Sequence, residues 1–344
     1  MLSAKENLLM CLRGEQPEYV PVGAMQDGDP PPSMMVAPPL LHPERDPEVR
    51  RNLFGVRFVH TDSTGGAGMP ANDEFVLPLD GIKNWGDYVK IPDFSDVVWE
   101  PLIAEQLKNM NYNRADTALV MDIHMGYFQL LMSIMGFEAG MIALYEYPDE
   151  VKELLDAISE FYIGVAKRTI DIYDPEALTL CDDTAAWYAP FISPDTFREF
   201  FMPHHDKYAK IGRDRGLLIQ IHCCGKTEDF IPLYLEMGIH GWSAAQTCND
   251  LLAVKAKYGN DMVFMGGWDG RERLLDPMAS PENPGGLTEE ELRQSVRDAM
   301  DKYAPGGGYT FGGGFMVAVG DEETPKKNVI IRDEARKYSL GFYK

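Results

Sequence analysis

From Ala118 onward the chain alternates short apolar runs with segments of helical period, and this alternation restricts the possible folds more than any other feature. The runs are Ala118 to Ile123, Ala177 to Cys181, Leu217 to Ile221, Gly241 to Ser243, Met262 to Met265 and Tyr309 to Phe311. Between them, apolar residues recur at helical spacing over Met125 to Met135, Pro148 to Ile172, Pro194 to Arg213, Lys226 to Met237, Asn249 to Tyr258 and Thr288 to Tyr303. Strands that are apolar throughout and separated by helices are buried on both faces, so they belong to a parallel sheet built from βαβ crossovers. With a further run at Val20 to Gly23 there are seven candidate strands, and an eighth in the proline-rich stretch would complete an α/β fold of the (β/α)8 TIM barrel type. No G-x-G-x-x-G follows the first strand and no G-x-x-x-x-G-K-[ST] occurs, so a nucleotide-binding doubly wound sheet is the weaker reading.

Upstream the texture changes. A helix is expected over Ala4 to Arg13, closed by Gly14 and Pro17. The stretch Asp27 to Pro43, DGDPPPSMMVAPPLLHP, and Thr64 to Pro70, TGGAGMP, are too rich in Pro and Gly for regular elements. The reading is one barrel domain over 1–344, with an N-terminal helix in about 1–19 and an irregular lid or insertion region in about 26–113 that holds a short helix near Asp46 to Leu53. No internal repeat is visible.

Charge narrows the function. The chain has 54 acidic and 32 basic residues, a formal net charge of -22, which repels nucleic acid backbones and anionic membranes. The opening MLSAKENLLMCLRGEQPEYV has no small-residue cleavage site after its apolar run, and no stretch is apolar for long enough to span a bilayer, so the expected location is cytoplasmic. The five cysteines, Cys11, Cys181, Cys223, Cys224 and Cys248, suit reduced thiols or metal ligands better than a disulfide framework.

In a barrel, functional side chains collect at the C-terminal ends of the strands. That rule selects Asp122 and His124, Asp182 and Asp183, His222 with Cys223 and Cys224, Gln246 with Cys248, and Asp269. Asp183 has a competing structural reading as a helix cap, because carboxylates at strand ends accept backbone N–H groups. His222 and Cys224 stand two apart at a strand end, so their side chains turn to the same side. An imidazole nitrogen with a thiolate suits Zn2+. The alternative for this pair is a buried thiol beside a hydrogen-bonded histidine. Aromatic residues recur beside the same rim: Trp187, Tyr188, Trp242, Trp268 and Phe315, with Met316 next to the last. An aromatic substrate can stack on such a set, and ordinary core packing is the alternative for each.

The segments HCCGK, then GIHGWSAAQTCNDLLAVKAKYGNDMVFMGGWD, then GGYTFGGGFMVAVGDEETPKKNV resemble the C-terminal half of the uroporphyrinogen decarboxylase superfamily. The likeness extends weakly upstream through CDDTA to PEYVPVG. It implies a (β/α)8 barrel with its active site in the mouth. True decarboxylases of the family carry an Arg-Gln-Ala-Gly-Arg signature after the first strand; the matching GAMQDGDPPP has no arginine with which to grip a polycarboxylate. The other branch comprises corrinoid (cobalamin) dependent methyltransferases. In those that methylate a thiol, the H-x-C pair and a Cys in the late glycine-rich strand hold zinc. Here Gly314 and Phe315 stand where that Cys is expected.

The resemblance therefore implies the methyltransferase component of an O-demethylase: an enzyme that moves a methyl group from a small, aryl methyl ether to the cobalt of a corrinoid protein. The expected metal is Zn2+ on His222 and Cys224, with Cys248, Asp182 or Asp269 as the third ligand. Asp182, Asp183 and His124 are the candidate acids, and Trp187, Tyr188, Trp242, Gln246, Trp268 and Phe315 the candidate substrate contacts. Partners are a corrinoid protein and a small methylated substrate, with no nucleic acid and no membrane, and a homodimer is one assembly open to it. The alternatives are a decarboxylase of tetrapyrrole synthesis, a methylcobamide:thiol methyltransferase and a non-enzymatic corrinoid- or metal-binding protein.

Overall fold

A computed structural model describes residues 2–23, 25–26, 28–46, 48–62, 65–110, 112–123, 126–268 and 287–343. Seven strands form one parallel sheet: β1 (Ser33–Val36), β4 (Ala118–Met121), β5 (Ala177–Cys181), β6 (Leu218–His222), β7 (Gly241–Ala245), β8 (Val263–Gly267) and β9 (Tyr309–Gly312), paired in that order. A separate antiparallel hairpin joins β2 (Phe58–His60) and β3 (Gly68–Pro70). Strictly sequential parallel pairing is the order of a barrel and not of a doubly wound sheet, whose strand order reverses at a switch point. The sheet is curled, and the fold is the expected TIM-barrel-like α/β class.

Four N-terminal segments differ from the expectation. Val20 to Gly23 is not a ladder strand, although Pro21 accepts the Phe311 N–H at 2.9 Å and so lies along the free edge of β9. Pro21 has no N–H to return, which is why a ladder does not form. Asp27 to Pro43 does contain a regular element: the four residues SMMV between the prolines are β1, which among the described residues pairs with β4 alone and so is an edge strand. Within Thr64 to Pro70, Gly65 and Gly66 take the positive φ of a turn and Gly68–Pro70 pairs back on Phe58–His60. There is no helix over Asp46 to Leu53 among the described residues. Pro43–Arg45 makes one 3-10 turn, and the Asn52 side chain then accepts from the Phe54 and Val56 N–H groups, an arrangement that competes with helical bonding.

The helices follow local rules. Ala4–Leu12 and Glu289–Tyr303 each begin with a capping box, Ser3 with Glu6 and Thr288 with Glu291. The longest, Pro148–Tyr173, buries Val151, Leu154, Leu155, Ile158, Tyr162, Val165 and Ile170, the i, i+3, i+4, i+7 stripe of a helix lying on a sheet. The continuous segment expected over Pro194 to Arg213 is two helices, Pro194–Phe200 and Met202–Arg213, parted where Pro203 lacks the N–H that would continue the first. Tyr127–Met135 and Phe137–Glu146 turn by 109° about Gly136, whose φ of 82° suits glycine. Among the described residues, no single helix is long and apolar enough to cross a membrane.

Candidate metal centre and its surroundings

Parallel strands deliver their C-terminal residues to one rim. β5 ends at Cys181 opposite His222 in the ladder, so Asp183, just beyond β5, comes beside the loop that follows β6. Asp183, His222 and Cys224 converge there, each half-buried, with one candidate ligand atom apiece and all three atoms within 4.8 Å of one another. Cys224 Sγ lies 3.5 Å from His222 Nε2. A tetrahedral zinc with ordinary Zn–S and Zn–N bonds holds such atoms about 3.6 Å apart, so this edge is already at the coordinating distance.

The three groups are braced from behind. His222 Nδ1 is 3.2 Å from Ser243 Oγ on β7, so an Nδ1–H donated to that hydroxyl leaves the Nε2 lone pair facing Cys224. Asp183 Oδ1 accepts the Cys224 N–H at 2.7 Å and Oδ2 accepts from Gln129 Nε2 at 3.2 Å. Gln246 Oε1 accepts the Gly225 N–H at 2.8 Å and tethers the same loop to β7. Gly225 has φ 84°, and a Cβ there would press on the carbonyl oxygens of Ala185 and Ala186 at 2.6 Å, so the β6 loop packs directly on the β5 loop. The neighbouring thiols are held in their neutral form. Burial pushes Cys223 up to about 12, and burial with the Asp122 charge raises Cys181 far above the ordinary thiol range.

Asp182 points elsewhere. It is completely buried and accepts three hydrogen bonds: Phe128 N–H at 3.0 Å, Gln129 N–H at 3.1 Å and His205 Nε2 at 2.9 Å. Two of these donors are the first-turn amides of helix Tyr127–Met135, so Asp182 caps a helix distant in sequence. The capping role considered for Asp183 thus falls to its neighbour. Cys248 is not in the metal-capable group. Its carbonyl accepts from Lys226 Nζ at 3.2 Å, and its Sγ lies 3.5 Å from Asn249 Nδ2. The carboxylate beside His222 and Cys224 is Asp183, not Asp182. His124 and Asp269 lie outside the described residues.

Among the aromatic candidates, Trp242 is a core residue: it is wholly buried, donates Nε1–H to the Cys223 carbonyl at 3.2 Å and packs edge-on against Phe264. It lies on the opposite face of β7 from Ser243, which meets His222, because successive strand residues alternate. Trp268 and Phe315 do meet, ring centroids 5.3 Å apart in a T-shaped pair, with Trp268 Nε1–H donated to Ser295 Oγ at 2.9 Å. Trp187 is half-buried and Tyr188 is 83% exposed on the loop after β5. Sequence reasoning missed Gln129 and Ser243, the residues that orient the metal-capable groups. Their only signal was position, one in the first turn after β4 and the other on the strand beside His222.

Residues 88–331 match the family model described as Uroporphyrinogen decarboxylase (URO-D). The chain belongs to this family. The chain is 28% identical over 153 residues, 43% of its length, to the Methylated-thiol--coenzyme M methyltransferase of Methanosarcina mazei. That alignment spans only 38% of the relative's own length. Among solved structures, a methyltransferase from Methanosarcina mazei superposes with TM-score 0.62 at 17% identity, covering 98% of this chain and 99% of that one, which is a likeness of fold. A B12-independent methionine synthase from Shewanella sp. W3-18-1 aligns with TM-score 0.47 at 9% identity over 82% of this chain and 73% of that one.

Proposed function

We propose that this URO-D family chain is a methyltransferase that moves a methyl group from a small aryl methyl ether to the cobalt of a separate corrinoid protein. The observation that carries the reading is the donor set, one imidazole nitrogen, one thiolate sulfur and one carboxylate oxygen at a barrel rim. The thiol-methylating branch suggested by the resemblance uses a second cysteine. Replacing a sulfur donor with Asp183 hardens the site and fits it to an oxygen leaving group. His222, Cys224 and Asp183 would hold Zn2+, which when bound supplies a Lewis acid that polarises the donor's ether oxygen. The remaining work belongs to the chain. Ser243 fixes the histidine tautomer, Gln129 and the Cys224 N–H fix the carboxylate, and the half-buried Trp268–Phe315 pair offers apolar surface to an aromatic ring.

The absence of arginine between Gly23 and Pro32 weighs against tetrapyrrole decarboxylation, which requires cations for several carboxylates. A second reading, transfer from a methylated thiol, is favoured by the name of the Methanosarcina mazei relative. Incubating the protein with a corrinoid protein reduced to cobalt(I) and panels of methoxyaromatics and methyl thioethers distinguishes the two. Methyl-cobalt absorbance with the ethers is the expected result. Absorbance with thioethers alone establishes the second reading, and none with any donor rejects both.

A further inference from the structure

The inner face of the sheet carries an unexplained polar side chain beneath the metal-capable group. Gln220 stands two residues before His222 on β6, so both side chains leave the strand on the same face, with Gln220 about 6.6 Å deeper at ordinary strand rise. The ladder fixes its neighbours as Thr179 on β5 and Gly241 on β7. A Cβ at Gly241 would lie 3.0 Å from the Gln220 Cβ and 3.5 Å from both Leu12 Cδ2 and Met265 Sδ. Leu8, Cys11 and Leu12 of helix Ala4–Leu12 cluster there with Val263, Leu218 and Met265, so apolar side chains close the space on that side of Gln220.

Gln220 is only 8% exposed, and its Oε1 is buried without a hydrogen-bond partner. Among the described residues its amide makes no side-chain hydrogen bond at either end. The polar groups nearest in the ladder are engaged: Thr179 Oγ1 with the Leu180 carbonyl at 3.3 Å, and Ser243 Oγ with His222 Nδ1 at 3.2 Å. A buried amide left unpaired costs stability, so packing alone would favour methionine or leucine at this position. The amide turns about one side-chain bond, which brings either its oxygen or its nitrogen to the interior. Directly above it, Cys181, His222, Ser243 and Met265 share one level of the ladder and are all half-buried, so open space reaches that level. None of the seven strands contains a lysine or an arginine, and the Asp122 charge is felt at Cys181. Such an interior disfavours an anion and suits a neutral ligand with a hydroxyl to donate to Oε1.

We infer that Gln220 is a substrate contact that selects an aryl methyl ether bearing a para hydroxyl group, which donates to the amide oxygen while the ether oxygen lies beside His222, Cys224 and Asp183. This inference rests on the reaction proposed above for the identity of the ether end. The two oxygens of such a ring stand on opposite sides of one benzene unit, a span comparable with the two residues of strand that separate Gln220 from His222.

Calorimetric titration of the full chain with para-methoxyphenol and with para-methylanisole, in which a methyl group replaces the hydroxyl, tests the contact without requiring turnover. Wild type is expected to bind the phenol about tenfold more tightly, as for one hydrogen bond to an amide otherwise left unpaired. Gln220→Met, unbranched and of similar length, should abolish that preference and leave Tm equal or higher, because a buried unpaired amide is removed. Should that variant melt early, Gln220→Asn keeps the amide one methylene short and should give an intermediate preference. In the transfer assay the Gln220→Met change should appear in KM for the phenol and not in kcat. Binding that follows this pattern while no donor is demethylated sustains the contact and rejects the reaction. Methyl transfer from both ethers with no preference in wild type sustains the reaction and overturns the contact. A preference that survives Gln220→Met, or binding of neither ligand, also overturns it, and para-methoxybenzoate binding more tightly than the phenol overturns the choice of a neutral ligand.

Discussion

Asp182 and Asp183 are consecutive, yet the structure gives them opposite jobs, and paired substitutions should separate stability from metal binding. Asp182 is completely buried, with two amides of helix Tyr127–Met135 and one His205 nitrogen on its oxygens. Asp182→Ala removes all three acceptor contacts and leaves the donors without water to replace them. Leaving three buried donors unsatisfied, at about 1–3 kcal/mol each and not fully additive, costs about 3–5 kcal/mol. With an unfolding entropy near 2.1 cal/mol/K per residue, a 344-residue chain loses roughly 4–7 °C of Tm for that penalty. Asp182→Asn is isosteric and keeps one accepting oxygen, so it should fall about midway. Asp183→Ala, at a half-buried site, should shift Tm by less than about 2 °C and instead lower bound zinc. Calorimetric melting with elemental analysis on the three variants and wild type reads both quantities. Metal loss in Asp182→Ala without destabilisation, together with full metal retention in Asp183→Ala, would refute the assignment.

Four further outcomes follow from the same geometry. Replacing both His222 and Cys224 by Ala should take zinc from about one ion per chain to none while the barrel stays folded, as elemental analysis and circular dichroism will read. Trp242→Ala, in the core, should cost about 3–5 kcal/mol in denaturant titration with KM for the methyl donor unchanged. At Gly126 (φ 106°) an added Cβ would collide with the Asp182 carboxylate and the Cys181 carbonyl, so Gly126→Ala should destabilise more than a surface glycine such as Gly164, where the same atom meets nothing within 4 Å. Burial lowers His204 from 6.5 to about 4 despite Asp156 at 3.7 Å, so the unfolded chain binds the extra proton in that interval; stability is full above pH 6.5 and declines by roughly 3 kcal/mol as pH falls to 4, a slope that His204→Phe should flatten in urea titrations across pH.

The strand positions were legible because a parallel strand buried on both faces leaves little choice of residue. Ala177–Cys181 is found at the residues its apolar run marked, and the other runs from Ala118 onward differ by a few residues at their ends. The same reasoning failed where local chemistry outweighs composition. Four residues without proline sufficed for β1 inside a proline-rich stretch, and helices Trp99–Asn109, Phe137–Glu146 and Thr324–Ser339 went unread, the first hidden in a region taken for lid.

Rim position told which residues gather but not which way each faces. Consecutive residues at a strand end point to opposite sides, so of Asp182 and Asp183 one must turn inward to the helix amides and the other outward to the imidazole and thiol. Sequence spacing cannot choose between those arrangements; the choice depends on where helix Tyr127–Met135 begins. That helix begins beside β5 because Gly126 brings the backbone within contact of Asp182. Gln129 then donates its backbone N–H to Asp182 and its side-chain amide to Asp183. One residue therefore couples the placement of a core helix to the orientation of a metal-capable carboxylate. Gln129→Ala retains the backbone bond to Asp182 and removes the side-chain bond to Asp183, so it should leave Tm nearly unchanged while weakening zinc affinity by about 10–100-fold, the range for partners that orient a ligand. Competition with a chromophoric chelator measures that affinity. An affinity equal to wild type would mean that the Cys224 N–H alone fixes Asp183 and that Gln129 only fills space.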